Sequence, residues 1–283
     1  MSDTTVTAER PQEPMAATST APARRRRNVV PALQVLGLRL LFLVAALAVW
    51  QCGVELGWID PFYVSEPTAV IGRLSELIFT QQLYTDLAFT LQNTLVGFAI
   101  SAVAGIATAC LFYRMPLLQK TVDPYILALY STPRLALAPL FIIWFGIGPA
   151  SKIALVVSLC YFVMLLNTYS GLVNVDKRLI NQVRMMGGGD WFVFRKVSLP
   201  ASIPWVLAGT RVGMGFALMG AVVGELIISE HGLGLRLSRA SGLFDTTGVF
   251  AYLVVVAFLG MIIDQLLRIV EKSLAGWGTT AAV

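Results

Sequence analysis

Along most of this chain the apolar positions neither alternate nor recur every third or fourth residue. They run on. Mainly apolar stretches occupy roughly 33–54, 86–112, 122–146, 151–173, 203–228 and 248–271. A helix crosses a bilayer with about 20 such residues, at a rise of about 1.5 Å each. In lipid, only helices or a closed barrel satisfy the backbone internally, and barrel strands are far shorter than these segments. The pattern therefore predicts an all-α membrane protein with six transmembrane helices. The third, which contains Pro133 and Pro139, is expected to be kinked.

Polar sequence breaks this rhythm in a few places. The opening stretch, MSDTTVTAERPQEPMAATSTAPARRRRN, is rich in Ser, Thr, Ala and Pro and has no apolar period. It is expected to form a disordered basic tail over 1–30, followed by a transmembrane domain over 31–275 and a short tail over 276–283. Arg24 to Arg27 before an apolar run also suit the start of a secretory signal, but that run is long enough to span and its small-residue stretch AALA lies inside it. An uncleaved first helix is the expectation. Between the first two spans, Val70, Leu74, Leu77 and Ile78 share one helical face. That face suits either the membrane surface or the bundle.

Composition sharpens the picture. The 283 residues are 57% hydrophobic and 13% charged, about half the charged share of a soluble domain. The net charge of +5 does not point to nucleic acid, because the basic residues lie between apolar segments rather than on a polar domain. With the N-terminus inside, the inner segments hold Arg10, Arg24 to Arg27, Arg114, Lys120, Lys177, Arg178, Arg184, Arg195, Lys196, Arg268 and Lys272. The outer ones hold Arg73, Lys152, Arg236 and Arg239. The asymmetry predicts that both termini are cytoplasmic. Cys52, Cys110 and Cys160 have no metal or disulfide spacing and read as small buried thiols.

The longest inner segment, 174–202, contains MMGGGDWFVFRKVSLP. Asp176 can cap a helix beginning at Lys177, and Leu179, Val183 and Met186 share its apolar face. Gly187 stands where a helix end favours a left-handed residue. A second short helix, DWFVFRKV, is expected to end at Leu199-Pro200. Its aromatic residues Trp191, Phe192 and Phe194 are expected to anchor it.

This segment resembles the EAA loop of permease subunits in binding-protein-dependent ABC importers. Gly187 matches the motif's glycine, and Val197, Leu199 and Pro200 match its end at the right spacing. Asn181, Gln182 and Val183 stand where Glu-Ala-Ala is usual, which removes one charged contact expected with the ATPase. The resemblance extends through FYVSEPTAVIGRL, LQNTLVGFAISAVAGIATA, APLFIIWFGIGPASK, LLNTYSGL, VVGELIISEHGLG and VFAYLVVVAFLGMIID, over about 33 to 275. It is closest to the branch serving sulfonate, taurine and nitrate uptake. It implies a type I ABC importer permease fold in the bacterial inner membrane. It also implies a coupling surface that includes Asn181, Gln182, Val183, Gly187, Gly188, Asp190, Leu199 and Pro200. The implied partners are two ATPase subunits, a second permease chain in either a homodimer or a heterodimer, an extracytoplasmic binding protein and a small-molecule substrate. No cofactor is expected on this chain, and ATP is used by the partner. The 283 residues contain no G-x-x-x-x-G-K-[ST] phosphate loop.

Small residues mark close helix approach in lipid. The second span carries Gly97, Ser101, Gly105 and Ala109; the fifth carries Gly209, Gly213, Ala217, Gly220, Ala221 and Gly224. In the family the fifth helix lies near the axis of a permease dimer, so its stripe suits either a gate or a seam. Arg134, Arg211, Glu225 and Asp264 are ionisable residues at membrane depth. The pathway candidates are Arg134, Arg211, Gly213, Ala217, Gly220 and Glu225, and His231 reads as structural. A self-sufficient carrier or channel is the competing reading, although no inverted repeat is visible. With one His and no nucleophile–base pair, an intramembrane enzyme has little support.

Overall fold

The computed structural model describes residues 32–275, and every regular element among them is helical. The expected tails, 1–30 and 276–283, lie outside the described residues. In chain order the helices are α1 (Ala32–Glu55), α2 (Pro61–Val64), α3 (Pro67–Ile78), α4 (Gln81–Arg114), α5 (Pro116–Ser131), α6 (Ala138–Phe145), α7 (Pro149–Val173), α8 (Lys177–Met185), α9 (Asp190–Val193), α10 (Leu199–Ile227), α11 (Leu233–Gly242) and α12 (Thr246–Ala275). Five helical stretches are long and apolar enough to cross a membrane, with Asp190–Ile227 forming one of them. The pair α5 and α6 makes a sixth if counted together, but it is bent by 81°.

That bend is sharper than a kink. The ring of Pro133 excludes the helical region for the residue before it. Thr132 accordingly adopts φ −69° and ψ 135°, and α5 stops at Ser131. One turn of tight 3₁₀ helix, Arg134–Leu137, then restarts the chain into α6. Proline opens several other helices where its missing N–H costs nothing: Pro67, Pro116 and Pro149 all lie at first helical positions.

Residues 47–275 pack around α7, which lies between α4 and α10. The small-residue stripes explain how closely these helices approach. A Cβ on Gly105 would lie 2.8 Å from Met164 Cβ and 2.9 Å from the backbone of Leu165 and Tyr161. One on Gly220 would lie 2.7 Å from Leu159 Cδ1. The apolar core follows the same seam through Val156, Leu159, Cys160, Met214, Ala217 and Ala221. Of the cysteines, Cys160 is buried as expected, but Cys52 is exposed and Cys110 only half-buried.

Helix α3 takes the second of its two open readings. Pro67, Val70 and Leu77 are buried and Leu74 packs on the core, so the helix lies on the bundle near α12. Ile78, expected on that face, is exposed.

Candidate functional site

The loop 174–202 forms a compact surface. The Asp176 carboxylate accepts a hydrogen bond from Arg178 N–H at 2.8 Å and caps α8. At the other end, Gly187 N–H donates to Arg184 O at 3.0 Å and Gly188 N–H to Val183 O at 2.9 Å. This is the Schellman closure, and Gly187 takes its left-handed position at φ +86°. A Cβ on Gly187 would meet nothing within 4 Å. One on Gly188 would lie 2.6 Å from Val183 Cγ1 and 2.9 Å from Val183 O. Gly187 is thus required by its backbone angle and Gly188 by space.

Helix α9 is held from α4. The Arg114 guanidinium lies over the Trp191 ring at 5.0 Å and the Phe194 ring at 5.6 Å. Tyr113 stacks on Phe194 at 5.7 Å and shares a 2.8 Å hydrogen bond between its hydroxyl and that of Ser198. Phe194 and Val193 are buried, while Trp191 and Phe192 remain more than half exposed. Arg184 pairs with Asp190 at 2.8 Å across the glycines. Asn181 and Gln182 point outward, and Val183, Gly188 and Phe192 help line a groove of about 490 Å³. The apolar face differs from the expected one. Ile180 and Val183 are half-buried, whereas Leu179, Met185 and Met186 are exposed.

The expectation that Leu199-Pro200 ends the second helix is overturned. Residues Phe194–Ser198 form a π turn, with Leu199 N–H donating to Phe194 O, and the chain continues directly into α10. The wider turn lets the helix continue through a residue that cannot donate, and Pro200 falls in the first turn of α10.

Arg134, half-buried, sits at the break between α5 and α6. It donates to Ser158 O and Leu159 O at 3.1 Å each and to Tyr130 O at 2.9 Å. The rings of Tyr130 and Phe162 lie 4.8 and 4.9 Å from its guanidinium. A cavity of about 260 Å³ opens beside it. Arg211 lies elsewhere, paired with Glu271 and 4.0 Å from Asp264 on α12.

Residues 101–276 match the model of the family described as binding-protein-dependent transport system inner membrane component. The chain belongs to that family. It is a multi-pass inner-membrane permease of the ABC importer class. The permease is 31% identical over 238 residues to a Bacillus subtilis protein provisionally named the aliphatic sulfonates transport permease SsuC, covering 84% of this chain and 86% of that one. It is 30% identical over 235 residues to the riboflavin transport system permease protein RibX of Chloroflexus aurantiacus, covering 83% and 88%. A solved structure of the MetNI methionine ABC transporter, in an inward-facing conformation, shares the fold at TM-score 0.56 and 18% identity, covering 68% of this chain and 94% of that one.

The remaining candidates of the permease separate cleanly. Gly213, Ala217 and Gly220 lie in the seam against α7 and α4 rather than on the wall of the Arg134 cavity. A Cβ on Gly213 would meet Phe98 at 3.2 Å and Met164 Sδ at 3.6 Å. Glu225 is fully buried. It accepts hydrogen bonds from Thr90 Oγ1 at 2.8 Å, Asn93 Nδ2 at 3.2 Å and Gly234 N–H at 3.1 Å. Asp86 beside it accepts from Gly232 N–H at 2.8 Å and from Arg236 Nε at 2.5 Å. Lys152 is also buried, donating to Ile147 O. This network ties α4, α10 and α11 together. His231 stacks on Phe89, with centroids 5.8 Å apart. Asp86, Thr90 and Asn93 do not stand out in the sequence. The available signal was a polar residue every three to four positions at the start of an otherwise apolar span.

Proposed function

We propose that this permease forms the substrate pathway of an ATP-driven importer and receives the motion of a separate ATPase through the surface built by α8 and α9. The observation that carries the reading is the shape of that surface. Two short helices are locked by the Schellman closure and the Arg114 stack, yet they leave Met185, Met186, Trp191 and Phe192 uncovered around a groove. Exposed Met and aromatic residues beside rigid backbone suit the docking of a partner protein. The working unit on this reading has two copies of the permease, two ATPase subunits that use ATP, and a binding protein outside. The termini and 174–202 face the cytoplasm.

The substrate is a small molecule. Relatives named for sulfonates and for riboflavin are about equally distant from this chain, so their names support no finer choice. The test is Gly187→Trp, measured by uptake and ATP hydrolysis in vesicles with pull-down of the ATPase as binding control. The expected result is normal insertion with weakened pull-down, or hydrolysis without uptake. Normal values in all three assays would remove the loop from the coupling role.

A further inference from the structure

We propose that the cavity beside Arg134 is a mid-membrane subsite for the anionic group of the transported molecule, with the guanidinium as its binding element. The inference rests on the reading that this chain forms the pathway, and it adds the charge class of what passes.

Depth comes first. Arg134 bonds to the carbonyls of Ser158 and Leu159. Ser158 lies 158 − 149 = 9 residues into α7, about 14 Å from one end of that helix and about 22 Å from the other. This places Arg134 inside a hydrocarbon layer about 30 Å thick, about 10 Å below its nearer face. Broken backbone is tolerated at such depth only where it is buried in protein or lines a polar cavity. Here the break does line a cavity, of about 260 Å³, whose wall includes Thr132, Pro133, Arg134, Phe216 and Met219. Phe216 and Met219 remain over a third exposed, so the cavity is open on one side.

Charge comes second. Among the described residues no carboxylate lies within salt-bridge distance of Arg134, whereas Arg211, the other arginine placed at membrane depth, pairs with Glu271. The cation is held instead by three carbonyl dipoles and two ring faces. Those bonds use three of its five N–H groups, and Nε–H is among the two that make no hydrogen bond to a described residue. Held without a counter-ion at this depth, the charge favours an anion in the cavity and disfavours a cation. A purely structural staple for the break would need the carbonyl bonds but neither the open wall nor the spare donors.

The test uses the full chain in inner-membrane vesicles of both orientations, with Cys52, Cys110 and Cys160 replaced and Met219→Cys introduced. The probes are sulfonatoethyl methanethiosulfonate, an anion, and its trimethylammonium counterpart, a cation of similar size. Each labelling rate is normalised to a small thiol in solution. The expected result is an anion-to-cation rate ratio of roughly tenfold with Arg134 present, largely kept in Arg134→Lys and falling to about one in Arg134→Gln. Labelling by both probes at equal normalised rates in the Arg134 chain would overturn the anion subsite and leave the pathway reading standing. Labelling by neither, from either side, would overturn both. The ratio in the Arg134 chain decides the matter even if Arg134→Gln does not fold.

Discussion

Asp86 and Arg236 are separated by 150 residues of sequence and by 2.5 Å in space. Asp86 is 1% exposed and also holds Gly232 N–H, so the pair fixes the loop after α10 against the start of α4. Breaking a buried pair from one side strands the other charge, at a cost of about 3–5 kcal/mol. Arg236→Ala and Asp86→Ala should each lower the thermal midpoint of the detergent-purified chain markedly. The double variant should fall by much less than the two single losses added together. Additive losses would mean that the two side chains do not interact.

Glycine-to-alanine changes should divide by position. Gly105→Ala places a methyl 2.9 Å from backbone atoms of α7, whereas Gly72→Ala places one where nothing lies within 4 Å. The first should destabilise by about 1–3 kcal/mol and the second should be neutral or slightly stabilising. Midpoints from intrinsic fluorescence during heating would show a clear ordering, and equal midpoints would contradict the α4–α7 seam.

In the loop, Gly187→Ala meets only the backbone cost of its left-handed angle, about 1–2 kcal/mol. Gly188→Ala adds a clash with Val183. Uptake should therefore fall further for Gly188→Ala than for Gly187→Ala. By contrast, Arg184→Ala removes an ion pair that is over half exposed on both sides and should change stability by under about 1 kcal/mol. Hydrogen exchange at 183–190 would detect the difference directly.

Sidedness can be checked by single cysteines at Ser75 and Gln182, both on exposed faces, in a background free of the native cysteines. An impermeant thiol reagent should label them from opposite sides. Labelling from one side alone would contradict the orientation inferred from the basic residues.

Much of this architecture is written locally. The spans are legible because each carries its own run of apolar residues, and the glycine turn because Gly187 follows a capped amphipathic segment. What could not be read depends on neighbours distant in sequence. Glu225 has the same signature whether it lines a pathway or sits among Thr90, Asn93 and Gly234. Only the folded seam reveals those partners. Lys152 and Arg236 count among the outer cations of the charge asymmetry, but one is buried and the other is paired. The course of the chain through Pro200 was misjudged because a proline read alone stops a helix, whereas a preceding π turn accommodates it. The residues proposed for coupling come from a motif resembling that of the family, which carries information that local physics does not.

The π turn at Phe194–Ser198 has a mechanical consequence. With it, the backbone from Asp190 to Ile227 is one helical stretch of 38 residues, about 57 Å long. One tip carries Trp191 among exposed aromatics, and the other holds Glu225 in its buried cradle. No loop interrupts the stretch, although Pro204 lies inside it. On the proposed coupling role, a displacement at Trp191 would therefore be passed on by helix rather than by linker, past the α7 seam, toward the far rim of the protein.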